Sequence, residues 1–168
     1  MCAFFVSRET WETIYMEKDI EYMKLALLEA KKAYDEGEVP IGAVLICNNE
    51  IIAANHNRKE QNSQSIDHAE ILTIKEACEI AKDWRLNEYT LYVTVEPCLM
   101  CCGAIIQSRI KRLVYGAKND KFGGVEGIEQ TLNNPKANHS VEITKNICEL
   151  ESKMLLKQFF ENKRKIKG

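Results

Sequence analysis

Short apolar runs typical of strands alternate along this chain with longer segments whose apolar residues recur at helical spacing. The pattern predicts helices over residues 20–34, 67–84, 97–108 and 147–163, and strands over residues 41–47, 51–54, 90–95, 113–115 and 141–144. Strands interleaved with helices in this order form one sheet that is covered by helices. The predicted fold is therefore of the α/β class, with a mixed five-stranded sheet in a three-layer α/β/α arrangement.

Cap and turn residues mark the ends of these predicted elements. Asp19 is placed to cap the first helix, and Gly37 stands just past its end. Residues 48–49, both Asn, provide the turn of a hairpin between the first two strands. Asp67 is expected to open the second helix, and Pro97 lies where the first turn of the third helix favours proline.

Length and composition favour one domain. The chain has 168 residues, of which 45% are hydrophobic and 29% charged, and this is enough apolar material for a core. Only 8 Gly and 3 Pro are present, and no linker is visible. We expect residues 1–18 to form an N-terminal extension, residues 19–163 the folded domain and residues 164–168 a basic C-terminal tail.

The sequence favours a cytoplasmic protein with no membrane partner. No apolar run approaches the about 20 residues of a membrane span. The short apolar stretch at residues 3–6 is not preceded by the basic residue of a signal peptide. Seven cysteines without an export signal favour a reducing compartment, where cysteines serve as core residues, metal ligands or catalysts.

Basic residues are concentrated at the C-terminal end. The chain carries 23 Lys and Arg residues against 25 Asp and Glu residues, for a formal net charge of −2. Residues 153–168 contain six basic residues and one acid, Glu161, so this segment carries +5 and the remainder −7. Such a run is most often a solvated helix end. It indicates polyanion binding only if the chemistry of the chain points to a polyanionic substrate.

Three of the cysteines are clustered, at Cys98, Cys101 and Cys102. Cys98 and Cys101 are three residues apart and therefore share one face of a helix. A helix N-terminus stabilises thiolates, which are the form that a metal requires. A Cys-x-x-Cys pair alone is equally typical of a redox-active dithiol, so both interpretations stay open at this point.

A second cluster, His68-Ala69-Glu70, lies upstream. A single His on a helix is usually a satisfied polar residue, and Asp67 with Glu70 fits a helix capping box. Combined with Pro-Cys-x-x-Cys, however, His68 adds an imidazole to two thiolates, which is a donor set suited to tetrahedral Zn²⁺. Three protein ligands leave a fourth position for water, as in a catalytic zinc site.

The neighbours of these ligands have separate predicted roles. Adjacent helical residues point about 100° apart, so Cys102 cannot easily share a metal with Cys101 and is interpreted as a packing residue. Glu70 is two residues from His68, where a carboxylate can move a proton from activated water to a leaving group. His-x-Glu followed by Pro-Cys-x-x-Cys resembles the signature of zinc-dependent nucleobase deaminases, which replace a ring amino group by oxygen and release ammonia.

Beyond this signature, the chain resembles the tRNA-specific adenosine deaminases, which convert the wobble adenosine of an anticodon to inosine. The resemblance covers roughly residues 19–163 and implies a cytidine deaminase-like fold. Its motifs are Glu-Val-Pro-Ile-Gly-Ala-Val at 38–44, Asn-Arg at 57–58, His-Ala-Glu at 68–70, Leu-Tyr-Val-Thr-Val-Glu-Pro-Cys-Leu-Met-Cys at 91–101, Ser-Arg-Ile at 108–110, Val-Tyr-Gly-Ala at 114–117 and Asn-His at 138–139.

The resemblance implies one Zn²⁺ per chain and a catalytic Glu70. The metal ligands that it implies are His68, Cys98 and Cys101. Asn57 is expected to hydrogen-bond a base flipped out of a single-stranded loop. The other implied substrate-binding residues are Val39, Pro40 and Ile41, which wall the pocket, and Asn119. The implied partners are a tRNA anticodon stem-loop and a second copy of the chain in a homodimer, and no organic cofactor is expected.

The loop at residues 118–127 departs from the family pattern. Many bacterial members carry an acidic residue where Asn119 falls, and a Gly-Ser pair where Glu126 and Gly127 fall. The string Asn-x-Lys-Phe-Gly-Gly at 119–124 is more similar to the catalytic subunit of the eukaryotic heterodimeric enzyme. Because this loop is expected to flank the anticodon, the departures affect two expectations: which partner chain the protein has, and how many different tRNAs it accepts.

Three other functions share parts of this pattern. A deaminase of a free base, nucleoside or nucleotide, such as guanine, cytosine or deoxycytidylate, has the same zinc site and differs in pocket and surface. A structural zinc module requires a fourth protein ligand and gives Glu70 no role, whereas a thiol redox protein binds no metal. The basic residues favour RNA. They are those of the C-terminal tail together with Arg109, Lys111, Arg112, Lys118 and Lys121.

Overall fold

The computed structural model describes residues 8–126 and 130–167. A short 3₁₀ helix at Thr131–Asn133 precedes the last strand. The helices and strands in chain order are α1 (Arg8–Asp35), β1 (Gly42–Cys47), β2 (Glu50–His56), α2 (Lys59–Asn62), α3 (Ala69–Ala81), β3 (Thr90–Val95), α4 (Leu99–Gln107), β4 (Arg112–Ala117), β5 (Glu142–Thr144) and α5 (Glu149–Lys167). Of these helices, none is both long and apolar enough to cross a membrane.

The strands form one mixed sheet in the order β2-β1-β3-β4-β5. Strand β1 is antiparallel to β2 and β3, whereas β3, β4 and β5 run parallel to one another. Alternate side chains of each strand enter different cores because the side-chain period of a strand is two residues. Val44 packs with Met23 of α1, and Leu45 packs with Ala77 of α3 and Ile105 of α4. The three-layer α/β/α prediction with a five-stranded sheet is confirmed.

Helix α1 is longer than the sequence predicted. It begins at Arg8 and continues without interruption to Asp35, and Gly37 follows at a φ of 81°, the left-handed conformation expected just past a helix end. Asp19 lies inside this helix, so its predicted role as the N-cap is wrong. Residues 1–7 lie outside the described residues. The predicted boundary between an extension and a domain at 18/19 falls within one helix and stays a prediction.

Asp19 is instead one partner of a buried ion pair. It is 3% exposed and receives both Nη groups of Arg112, at 2.8 and 2.6 Å, and the hydroxyl of Tyr92 at 2.8 Å. Arg112 Nη2 also donates to Thr144 Oγ1 at 2.8 Å. These bonds join α1 to three strands of the sheet. A buried carboxylate with this many donors contributes to the fold through hydrogen bonds rather than through helix capping.

Replacing Asp19 with alanine is expected to lower the free energy of unfolding by about 3 kcal/mol or more, because it leaves the Arg112 guanidinium buried without its counter-ion. The measurement is urea denaturation followed by circular dichroism. Asp35→Ala is the matched control on the same helix, since Asp35 is exposed and pairs only with Lys31 among the contacts described; it is expected to cost below about 1 kcal/mol. Equal losses in the two variants contradict this role for Asp19.

Several other helix ends differ from the predicted ones. The predicted second helix at 67–84 begins after its N-cap His68 and ends at Ala81, where the C-cap Lys82 has a left-handed conformation. The predicted third helix begins at Leu99, so Pro97 precedes it rather than lying in its first turn. Helix α5 runs to Lys167, so the predicted tail at 164–168 continues this helix, and Gly168 lies outside the described residues. Helix α2 was not predicted.

Candidate functional site

The two motif clusters meet at neighbouring helix N-termini. His68 is the N-cap of α3 and Cys98 is the N-cap of α4, and both have extended backbone conformations. Cys101 lies in the first turn of α4, fully buried. Helices α3 and α4 pack against each other on the same face of the sheet. The unpaired N–H groups and the positive dipole ends of both helices therefore lie at the His68–Cys98–Cys101 cluster. This environment stabilises a thiolate.

The three side chains have the spacing of ligands around one tetrahedral metal. His68 Nδ1 lies 3.7 Å from Cys98 Sγ and 3.6 Å from Cys101 Sγ, and the two sulfur atoms are 3.7 Å apart. Tetrahedral bonds of about 2.3 Å to sulfur and about 2.0 Å to nitrogen place the ligand atoms about 3.5–3.8 Å from one another. The donor set fits zinc in both chemistry and size, and these residues form the His/Cys group that could hold a metal in the described part of the chain.

The two thiols have strongly different proton affinities. Hydrogen bonding to Cys101, and then to His68, lowers the pKa of Cys98 to about 4. The same hydrogen bond with Cys98 and the burial of the side chain raise the pKa of Cys101. These contacts therefore favour the thiolate at Cys98 and the thiol, with its proton, at Cys101. Because a metal binds thiolates, cation binding here releases that proton.

Cys102 is directed away from this cluster. Its Sγ donates to the carbonyl oxygen of Pro97 at 3.6 Å and packs in the apolar core with Ile105. Burial raises the pKa of the Cys102 thiol to about 12, so it stays protonated at neutral pH. Among the described residues, the group that could hold a metal thus contains two cysteines and one histidine.

Glu70 is a buried carboxyl in the first turn of α3. It is 3% exposed, and burial raises its pKa to about 7. Its Oε2 atom is buried without a hydrogen-bond partner within the part of the chain that the structure describes. The capping-box interpretation does not hold, because the N-cap is His68 rather than Asp67, and the His68 side chain makes no capping hydrogen bond. A carboxyl with a pKa near neutrality can both accept and donate a proton.

Asn57 connects the start of α3 to the start of β1. It is 5% exposed, its Oδ1 accepts the N–H of Ala69 at 2.9 Å, and its own N–H donates to the carbonyl of Ile41 at 3.1 Å. Asn57 and Ile41 thus lie next to the helix turn that carries His68. Val39 is half-buried and Pro40 is buried in the segment that leads into Ile41.

Asn119 lies in the segment after β4 and serves in a turn. Its Oδ1 accepts the N–H of Phe122 at 3.2 Å, and its carbonyl accepts the N–H of Gly123 at 2.9 Å. Gly123 forms an isolated β-bridge with Cys98. The structure therefore brings this segment next to the His68–Cys98–Cys101 cluster, although the side-chain oxygen of Asn119 is hydrogen-bonded within the segment itself. Gly127 lies outside the described residues.

Sequence reasoning assigned no role to Glu96, which follows β3 and precedes Pro97. Its side chain is 2% exposed, and its carboxylate accepts backbone N–H groups from the segment after β4. The signal in the sequence was a carboxylate placed directly after a strand of mostly apolar residues. A carboxylate at such a buried position needs hydrogen-bond donors around it, so the position indicates a structural role.

The basic residues near this face are not equivalent. Arg112 is 18% exposed and is paired with Asp19, so its guanidinium is already engaged within the fold. Lys111 pairs with Glu88 at 3.2 Å, and Arg109 donates to the carbonyl of Asn138 at 2.9 Å. In residues 118–126, Lys118 and Lys121 are exposed, and Lys118 pairs with Asp120 at 3.2 Å.

Comparisons of sequence place the chain among deaminases. The profile of the MafB19-like deaminase family matches residues 17–164. A tRNA-specific adenosine deaminase of Bacillus subtilis is 47% identical over 152 residues, which are 90% of this chain and 94% of that protein. A protein of the same name from Rickettsia typhi is 42% identical over 144 residues, which are 84% of this chain and 97% of that protein.

Comparisons of structure agree. A solved structure from studies of A-to-I editing by tRNA:A34 deaminases at the wobble position of transfer RNA is 42% identical, with a TM-score of 0.79. The match covers 81% of this chain and 99% of that one. A guanine deaminase from Nitrosomonas europaea, 24% identical with a TM-score of 0.73 over 83% of each chain, shares the fold. The chain belongs to the deaminase family that the MafB19-like profile describes, among the tRNA-specific adenosine deaminases.

Proposed function

We propose that this protein hydrolyses the wobble adenosine of a tRNA anticodon to inosine and ammonia. The observation that carries the proposal is the donor set of His68, Cys98 and Cys101 beside the buried, unpartnered carboxyl oxygen of Glu70. A closed structural metal site gives such a carboxyl no role. The tRNA substrate follows from the relatives, which are tRNA-specific adenosine deaminases at 47% and 42% identity.

The three ligands are proposed to hold one zinc ion per chain, because imidazole with two thiolates is a set that zinc favours. When bound, zinc supplies Lewis-acid activation of water near neutral pH. The extended backbones of His68 and Cys98 fix the ligands at helix N-termini. Cys101 is held by its position in the first turn of α4.

Glu70 is proposed to move the protons of the reaction. Its carboxylate takes one proton from the attacking water and delivers it to the ring nitrogen. It then takes the second proton from the added hydroxyl group and delivers it to the amino group, which leaves as ammonia. Its pKa near 7 matches a group that must be deprotonated at the start of this sequence and protonated within it. Burial also keeps bulk water from exchanging that proton.

The base is proposed to bind between Asn57 and the wall of Val39, Pro40 and Ile41. Because Oδ1 of Asn57 is held by the N–H of Ala69 at 2.9 Å, the Nδ2 group is the part of this side chain that can donate to the base. A base in a duplex cannot reach such a buried site. A single-stranded anticodon loop is therefore the substrate form that fits. Asn119 is proposed to act at the rim of this pocket.

We further propose a homodimer that acts in the cytoplasm, with residues 19–163 as the deaminase domain. The apolar side chains of Leu99 and Met100, 39% and 37% exposed in the first turn of α4, support a protein contact at this face. Free cysteines such as Cys98 and Cys101 are typical of a reducing compartment, which supports the cytoplasm. Sedimentation of the purified protein tests the dimer, and a monomer contradicts it.

Incubation with an anticodon stem-loop tests the function. A stem-loop with adenosine at the wobble position is expected to yield inosine, while free adenosine, cytidine and guanine are unchanged. The matched control is the same stem-loop with cytidine at that position. Turnover of a free base or nucleoside, with the stem-loop unchanged, contradicts the proposal and favours a deaminase of small molecules.

The C-terminal cations are expected to contribute to RNA affinity. A chain ending at Asn162 keeps the bond from Asn162 to the hydroxyl of Tyr34 and loses the exposed cations Lys163, Arg164 and Lys165. Each lost phosphate contact makes the log–log dependence of stem-loop affinity on salt shallower by about 0.7–0.9. We expect a change of about one to three units. Turnover at saturating RNA should be unchanged. An unchanged salt slope assigns the phosphate contacts to other residues, such as Lys118 and Lys121.

A further inference from the structure

The segment at residues 118–126, called the β4 loop below, lies against the corner between β3 and α4. Gly123 pairs with Cys98 in an isolated β-bridge, and the N–H of Gly124 donates to the carbonyl of Pro97 at 2.8 Å. The loop thus contacts the backbone of a proposed metal ligand and of the residue before it. An interaction that joins the loop to the corner between β3 and α4 therefore sets the position of the loop relative to the site.

The carboxylate of Glu96 makes that connection. Its Oε2 accepts the N–H of Asn119 at 2.9 Å, and its Oε1 accepts the N–H groups of Val125 at 3.0 Å and Glu126 at 2.6 Å. Both ends of the β4 loop therefore converge on one side chain that is 2% exposed. Hydrogen bonds to an ionised acceptor are stronger than neutral ones, and backbone N–H groups gathered in a turn form an anion-binding concavity.

The backbone in the middle of the loop packs directly against the same carboxylate. A Cβ atom at Gly123 would lie 2.4 Å from Cδ of Glu96, so only glycine lets the loop backbone lie directly on this group. The far end is held a second time, because the hydroxyl of Tyr115 donates to the carboxylate of Glu126 and Lys145 pairs with it at 2.9 Å. The loop is a formed part of the site wall rather than a free connection.

The loop presents groups that suit single-stranded RNA. Phe122 is 66% exposed at its tip, and Lys121 beside it is exposed. Aromatic rings stack on unpaired bases, and lysines contact the phosphates that connect them. These two side chains lie next to Gly123, which bridges to Cys98.

We propose that Glu96 is a positioning residue for the RNA substrate, which holds the β4 loop so that Phe122 and Lys121 contact the nucleotides beside the reacting base. The inference rests on the proposed function for the identity of the substrate. Glu96 is proposed to act indirectly, and not by contact with the reacting base. It acts through the three backbone N–H groups that it binds.

Glu96→Gln tests the proposal because the amide keeps one acceptor oxygen and turns an NH₂ group toward a backbone N–H. Hydrogen exchange at the amides of residues 119, 125 and 126 is expected to become about tenfold faster or more. The KM for the stem-loop is expected to rise about tenfold, with kcat and zinc content within about twofold of the original protein. Glu88→Gln, the same change at an exposed carboxyl before β3, is the control and should alter none of these.

Gly123→Ala disrupts the same contact by a change in the loop. It serves as the second test if Glu96→Gln does not fold. The added methyl group must displace the loop from the carboxylate, so faster exchange at the same amides and a raised KM are expected. Unchanged exchange, or an unchanged KM in a folded variant, overturns the proposal. A failure of the original protein to deaminate any stem-loop overturns the proposed function instead, and the exchange result then still decides whether Glu96 holds the loop.

Discussion

Replacing Glu70 with glutamine is expected to lower the rate of deamination at saturating RNA by at least ~10²-fold, which is the usual scale of general acid–base catalysis. Glutamine keeps the size of the side chain and can still form hydrogen bonds, but its amide neither takes up nor releases a proton near neutral pH. The zinc content is expected to stay unchanged, because Glu70 lies beside the ligands and is not one of them. Single-turnover assays with excess protein, together with metal analysis, measure both quantities.

The control for this variant is Glu79→Gln on the exposed side of the same helix. It removes one carboxylate from α3 without touching the buried site, so its rate should match that of the original protein. Full activity in Glu70→Gln would mean that the carboxyl with the unpartnered Oε2 serves only the stability of α3. Loss of zinc from Glu70→Gln would make it a ligand, which contradicts its assigned role.

Replacing Cys101 with alanine is expected to abolish zinc retention and activity together. Changes to groups that merely surround the ligands of a metal lower its affinity by about 10–100-fold, so the loss of a ligand should cost at least about 100-fold. Cys101 is fully buried beside Cys98, and its removal leaves two of the three donors. The zinc-to-protein ratio after dialysis, measured by mass spectrometry of the metal, gives the result directly.

Cys102→Ala is the matched control because Cys102 is the next residue in α4 and is equally buried. Its Sγ contacts the carbonyl of Pro97 and not the His68–Cys98–Cys101 cluster, so this variant should keep its zinc. A small loss of stability from the removed packing is expected. If Cys102→Ala lost its zinc and Cys101→Ala kept it, Cys102 would be the metal ligand and Cys101 the packing residue.

The sequence predicted the order of elements well because each one carries its own periodicity. Thr90–Val95 consists of β-branched, aromatic and aliphatic residues, which favour strands, and it forms a central strand paired on both sides. Helix ends were less predictable, since Asp19 has the residue type of a cap but finds donors in Arg112 and Tyr92, which are distant in the chain. Tertiary partners of this kind decide whether a short polar side chain caps a helix or lies within it.

The site divides in the same way. The His68, Cys98 and Cys101 set could be recognised because a metal requires particular donor atoms, and their spacing in sequence indicates helix ends. The sequence shows Glu96 as a carboxylate directly after a buried strand, but its partners could not be predicted, because they are backbone N–H groups that almost any residue supplies. Arg112 shows the converse, since a residue in a basic stretch of the sequence is paired in the fold with a buried carboxylate that is distant in the chain.

The most direct test of the metal centre is X-ray absorption at the zinc edge on the purified protein. The arrangement of His68, Cys98 and Cys101 predicts one zinc per chain with two sulfur neighbours at about 2.3 Å and two lighter nitrogen or oxygen neighbours at about 2.0–2.1 Å. Four sulfur neighbours would indicate a closed structural site. That spectrum, or full deamination of the stem-loop by protein that contains no zinc, would contradict the account.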